Sequence, residues 1–173
     1  HGDNHRKVFI SGDEDALSVR DIAALEDISP DKINIEWMAE NPEYGADPSM
    51  ALDGEAGMMM WRAITPDGSV SSNHLLFERG YEYDNVPTIL GRDMSGESEL
   101  HPIYIGAYGT GDKPIIHSSI RPVTDESSNV VIPGLEVPGG VKILETATHM
   151  VFDDMVFANP DTDAIVLKDS DGV

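Results

Sequence analysis

Between residues 58 and 167 the chain offers no long apolar periodicity, only short apolar runs closed by Gly, Pro, Asn, Asp or Ser. The runs fall at residues 58–64, 75–77, 86–90, 103–108, 115–116, 130–132, 141–144, 150–152, 155–157 and 165–167. Most are too short for a helix and carry β-branched or aromatic residues, so they read as strands. The 16 glycines and 11 prolines supply bends, which weighs against a helix bundle. Evenly spaced strands of this kind also suit a β-sandwich. A repeat favours a coil instead. Asn129-Val130, Met150-Val151 and Gly172-Val173 recur at about 21 to 22 residues, a period typical of stacked repeats.

The residues ahead of these runs differ. The first dozen are polar apart from Val8, Phe9 and Ile10, and read as an arm. A helix is predicted over 19–26. Ser18 can cap it, Asp21 stands three residues later, and Leu17 and Ile22 take the staple positions. Ser29-Pro30 marks a second start, carried to about residue 40, because proline is tolerated at the first helical position. Residues 41–57 are rich in Gly, Pro, Ala and acids and read as loop.

The formal net charge is −21. Such a surface repels phosphate backbones, which excludes nucleic acid as a partner, and it disfavours anionic membranes and anionic glycans. It suits solubility, high salt, or divalent cations held between carboxylates. No run approaches the ~18 continuous apolar residues that a membrane span requires. There is no cysteine, so disulfides and thiolate metal sites are excluded.

Two strings carry a family resemblance. Leu76-Phe77-Glu78-Arg79-Gly80 is followed, about two dozen residues on, by His101-Pro102-Ile103-Tyr104-Ile105-Gly106-Ala107-Tyr108-Gly109-Thr110-Gly111-Asp112-Lys113-Pro114-Ile115-Ile116. The pair resembles the opening rungs of bacterial right-handed parallel β-helix proteins, such as polysaccharide lyases and glycan-binding spikes. The resemblance implies a mainly β fold, with residues 1–50 as an arm and helical cap. Residues 51–173 would then be the first turns of a right-handed parallel β-helix that continues beyond Val173. It implies buried Ile103, Ile105, Val151, Phe152 and Phe157, and a first helix that covers the open end of the coil or docks on a partner. The string itself is structural. Ile103 and Ile105 alternate inward, Pro102 opens a strand where a missing donor is tolerated, and Gly109 and Gly111 allow a tight bend. Residues 70–74 depart from the turn that usually precedes the first string.

No catalytic residue carries over, because the family's sites lie on turns that would follow Val173. The function expected is that of an extracellular, polysaccharide-interacting protein, the N-terminal portion of a lyase-like enzyme, inactive by itself. The alternative is a noncatalytic spike, fibre or adhesin on a virion-like particle, anchored through its N-terminal segment. A homo-oligomer or an anchoring protein would be its partner. Asp153 and Asp154, adjacent carboxylates between two apolar runs, are the candidate metal ligands, with calcium as the ion; a solvated acidic turn explains them equally. Asp169-Ser170-Asp171-Gly172 has part of a calcium-loop pattern. His1 with His5 raises copper chelation by an N-terminal histidine, without the second histidine such a site needs. His74, His101, His117 and His149 show no ligand spacing and read as structural or surface residues. Trp37 and Trp61 lie in apolar contexts and read as core.

Overall fold

The structure, a computed structural model, describes residues 5–84, 86–117, 127–144, 147–158 and 165–168. Strand β1 (Lys7–Ile10) comes first, followed by helices α1 (Val19–Leu25), α2 (Ile35–Glu40) and α3 (Gly54–Ile64). Then come β2 (His74–Glu78), β3 (Glu82–Tyr83), β4 (Ile103–Tyr108), β5 (Ile115–Ile116), β6 (Ser128–Pro133), β7 (Val141–Leu144), β8 (Thr148–Asp153) and β9 (Ile165–Lys168). Every pairing between these described strands is parallel. The main sheet has five strands in the order β1-β2-β4-β6-β8, and β3-β5 and β7-β9 form two short sheets.

This corrects the expected fold class. The described residues form a parallel α/β-like arrangement of three separate sheets with helices among the first strands, and not a mainly β right-handed parallel β-helix. Two segments account for much of the difference. Residues 7–10, read as part of an arm, are a strand of the main sheet and pair with β2 from Lys7↔His74 to Ile10↔Phe77. Residues 58–64, read as the first strand, are the body of α3. The helix is set by its start. Asp53 accepts a hydrogen bond from Ala56 N at 2.8 Å, and strong helix formers follow. Ala56, Met60 and Trp61 then fall on one buried face.

The core lies between the inner face of the main sheet and α3. Strand alternation sends Val8, Ile10, Leu75, Phe77, Ile103, Ile105, Val130 and Ile132 inward, and all are fully buried. α3 approaches so closely at Gly57 that a Cβ there would lie 2.5 Å from Ile10 Cγ1. Trp61 is fully buried and donates its indole N–H to Ile89 O at 2.9 Å. Asn73 ties three segments together. Its amide donates to Ile64 O at 2.9 Å and Thr65 Oγ1 at 3.0 Å, and its carbonyl oxygen accepts from Arg6 N at 2.9 Å. On the outer face a smaller cluster gathers Phe9, Ala51 and Leu76 under Tyr104 and Tyr108.

Helix α1 forms where the sequence places it, with both halves of the Ser18–Asp21 capping box made. The second predicted helix is split into a 3₁₀ turn at Pro30–Lys32 and α2, which Asn34 caps. The covering role expected of α1 belongs to another segment. The free edge of β1 is closed by residues 45–52: Phe9 N donates to Gly45 O at 2.8 Å, Leu52 N to Phe9 O at 3.0 Å, and Ser11 N to Leu52 O at 2.9 Å. Ile22 is buried, but Leu25 is 64% exposed.

The burial expected of Ile103 and Ile105 holds, and Phe152 and Phe157 are partly buried against the core. Val151 is different, at 49% exposed. The apparent repeat matches Val130 with Val151. The sheet pairs Val130 with Met150 and Val131 with Val151 instead, and a slip of one residue turns a side chain to the opposite face. Asn129 and His149, which precede this matched pair, both take left-handed backbone with φ of 55° and 53°. No helix among the described residues is long and apolar enough to cross a membrane.

Candidate metal centre

The short β3-β5 sheet concentrates ligand chemistry. Its parallel register pairs Glu82 with Ile115 and Tyr83 with Ile116, and His117 N donates to Tyr83 O at 3.0 Å. Tyr83 and Ile116 point into the core. Alternation therefore sends their chain neighbours Glu82, Asp84 and His117 outward, onto one patch of surface. His117 Nε2 hydrogen-bonds the Glu82 carboxylate and lies 3.8 Å from Asp84 Oδ1. One ligand atom from each of the three residues falls within 4.8 Å of the others.

Tyr83, between two of the three ligands, is held from below. Its hydroxyl donates to Glu78 O at 3.0 Å and reaches Ile10 O at 3.3 Å, and its ring meets Phe77 edge-on at 5.1 Å. Burial, the largest influence, pushes its hydroxyl far above the usual tyrosine range, so it stays protonated as a donor. The backbone carrying Glu82 and Asp84 is thereby anchored to the main sheet.

Glu82 and Asp84 also line an open groove of about 680 Å³. Its lining includes Met58 and Met59 of α3, with Val86 and Pro87. Asp13, Asp53 and Glu55 line it with further carboxylates, and Arg62 is the cation on its wall. Asp53 is half-buried, and burial raises its carboxyl above the usual range against the opposing bond from Ala56 N. Asp13 is lowered, first by the N–H of Asp15 and then by the hydroxyl of Tyr81, which donates to it at 2.8 Å.

A histidine nitrogen and two carboxylates can hold one divalent ion. With metal–ligand distances of about 2.1 Å, ligand atoms around an ion lie at most about 4.2 Å apart. Small side-chain adjustments bring this triad to that spacing. With three protein ligands, an ion held there would complete its coordination with water.

The two aspartates singled out in the sequence lie elsewhere. Asp153 ends β8, exposed, with its carbonyl accepting from Gly134 N at 2.9 Å. Asp154 follows in left-handed backbone, and its Oδ1 pairs with Lys113 Nζ at 2.5 Å. The cluster of three metal-ligating side chains among the described residues is Glu82, Asp84 and His117, so these aspartates do not enter it. Residues 169–172 and His1 lie outside the described residues. His74 is stacked between the rings of His5 and Tyr104, at 4.9 and 5.2 Å, and His149 reaches Glu99 at 3.1 Å. Only the Glu82-Tyr83-Asp84 alternation hinted at the cluster from sequence; its third member arrives through strand pairing. No protein-family description, curated protein or solved structure matches the chain.

Proposed function

We propose that this chain is a metal-dependent binding protein whose ion is held by Glu82, Asp84 and His117. The observation that carries the reading is the mixed nitrogen and oxygen triad, whose two acids also line an open groove. The calcium expected from acidic composition is the less suitable ion here. Calcium takes six to eight oxygen ligands, whereas imidazole favours ions of the zinc class. All three ligands are exposed, so water completes the coordination sphere when the groove is empty. The polysaccharide partner expected from the two sequence strings enters this reading as the occupant of the groove. What supports it is the groove's lining by both apolar side chains and carboxylate acceptors.

Titration calorimetry of the whole chain with zinc, and separately with calcium, tests the metal. One zinc per chain is expected, with affinity at least tenfold lower in His117→Ala and in Glu82→Gln, and with weak calcium binding. Zinc binding that ignores both substitutions, or no zinc binding, refutes the site.

A further inference from the structure

A second groove, of about 590 Å³, adjoins the first and reverses its charge. Arg62 and Arg92 line it against one acid, Asp67. Ile35 and Arg62 line both grooves. The second groove is held by fixed contacts. Trp61 of α3 anchors Ile89 through its indole N–H at 2.9 Å. Gly68 N donates to Arg92 O at 2.7 Å, and Arg92 N donates to Asp67 Oδ1 at 3.2 Å. This exchange clamps residue 92 to the loop after α3. It brings Arg92 to the groove that Arg62 enters from the last turn of the helix.

We propose that this groove binds a small monocarboxylate with an apolar body, its carboxylate held by Arg62 and Arg92. Both arginines are exposed, and among the described residues no carboxylate lies within 4.0 Å of either guanidinium. Asp67 is engaged with the backbone N–H of Arg92 instead. Arg62 suits the dipole at the end of α3, but the dipole does not call for a second arginine from another segment. A guanidinium presents paired donors that match the two oxygens of a carboxylate. Ile35 and Pro66, both exposed, offer apolar surface to the body of the ligand. The volume falls within the range of about 300–1,000 Å³ usual for small-ligand pockets. The surroundings then limit the ligand's charge. Asp53, Glu55, Glu82 and Asp84 line the adjoining groove. Each further negative charge on a ligand adds repulsion from these acids and from a chain of net charge −21, which favours a monoanion over a polyanion.

The test is calorimetry and saturation-transfer NMR on the whole chain, with EDTA present so that no ion occupies the triad. The probes are 3-phenylpropionate, its neutral amide, acetate and citrate. 3-Phenylpropionate should bind the parent. The amide should bind about tenfold more weakly, as should 3-phenylpropionate to Arg62→Gln and to Arg92→Gln, each change removing a charge-assisted hydrogen bond. Acetate, which lacks the body, and citrate, which carries extra charge, should both bind more weakly than 3-phenylpropionate. Arg20→Gln, outside the groove, should leave binding unchanged. All three arginines are exposed, so the variants should melt with the parent. No binding of 3-phenylpropionate, or equal binding of its amide, overturns the proposal. So does binding that both groove variants retain, or that Arg20→Gln weakens equally. Citrate binding at or above 3-phenylpropionate refutes the monoanion argument. Binding that appears only when zinc replaces EDTA, and is lost in His117→Ala, puts the carboxylate on the ion and overturns its assignment to the arginines. Neither arginine belongs to the triad, so this site and the metal reading can fail separately.

Discussion

Replacing Asn73 with alanine removes one buried amide from three partners at once. Arg6 is exposed, and its backbone N–H regains a partner in water. Thr65 is buried, and both its hydroxyl and the carbonyl of Ile64 at the end of α3 lose their donor. Each stranded acceptor costs about 1–1.5 kcal/mol, which gives a loss of about 2–3 kcal/mol. At roughly 2–4 °C per kcal/mol for a chain of this size, the melting temperature should fall by about 5–10 °C. Urea unfolding monitored by the fluorescence of Trp61 and Trp37, alongside a thermal melt, measures both. A cycle with Thr65→Val separates the amide from nonspecific damage. The valine substitution should cost about 1 kcal/mol less in the alanine background than in the parent, because the shared bond has already gone. A change below about 0.5 kcal/mol for Asn73→Ala, or strict additivity in the cycle, would show that the three segments are not held by this side chain.

Three further outcomes follow from the packing and charge. Gly57→Ala should destabilise by about 1–2 kcal/mol in urea, since the added methyl meets Ile10, and Ile10→Val should recover part of that loss. His74 is lowered from 6.5 to about 4, first by burial and then by His5 and Lys7. A depressed base is neutral in the folded chain, so its contribution is complete above the unfolded value and is lost as pH falls from 6.5 toward 4. Discounted for partial exposure, the loss is about 2 kcal/mol, read as the difference in unfolding free energy between the parent and His74→Gln at pH 7 and pH 4.5. Asp154→Asn breaks a surface ion pair and should change stability by less than about 1 kcal/mol, leaving zinc affinity unchanged in the same calorimetry.

What the sequence discloses is mostly local. The Ser18–Asp21 box is read correctly because a helix cap is a matter of four adjacent residues. Ile103 and Ile105 are read correctly because alternation within one strand needs no partner. Residues 58–64 mislead because a run of methionines, Trp61 and Ile64 fits a buried strand as well as a helix face; the decisive cue was the cap at Asp53, upstream of the run. Val151 misleads because its face depends on register with β6, a property of two strands. The metal cluster is hidden for the same reason. Its histidine follows a strand far along the chain, and the parallel pairing of Tyr83 with Ile116 is what brings it beside the two acids.

The placement of β1 has a bearing on how the molecule assembles. Its contact with the segment leading into β2 spans 67 positions, as in the bond between Arg6 and Asn73, whereas β6 and β8 pair at Ser128↔Thr148 across a far shorter loop. Closing the longer loop costs about 1 kcal/mol more in chain entropy. The loop also contains the three helices, the last of which presents Gly57 to Ile10. Among the described strand pairs β1 with β2 closes the longest loop, so β1 acts as a latch that ties the helical block to the sheet.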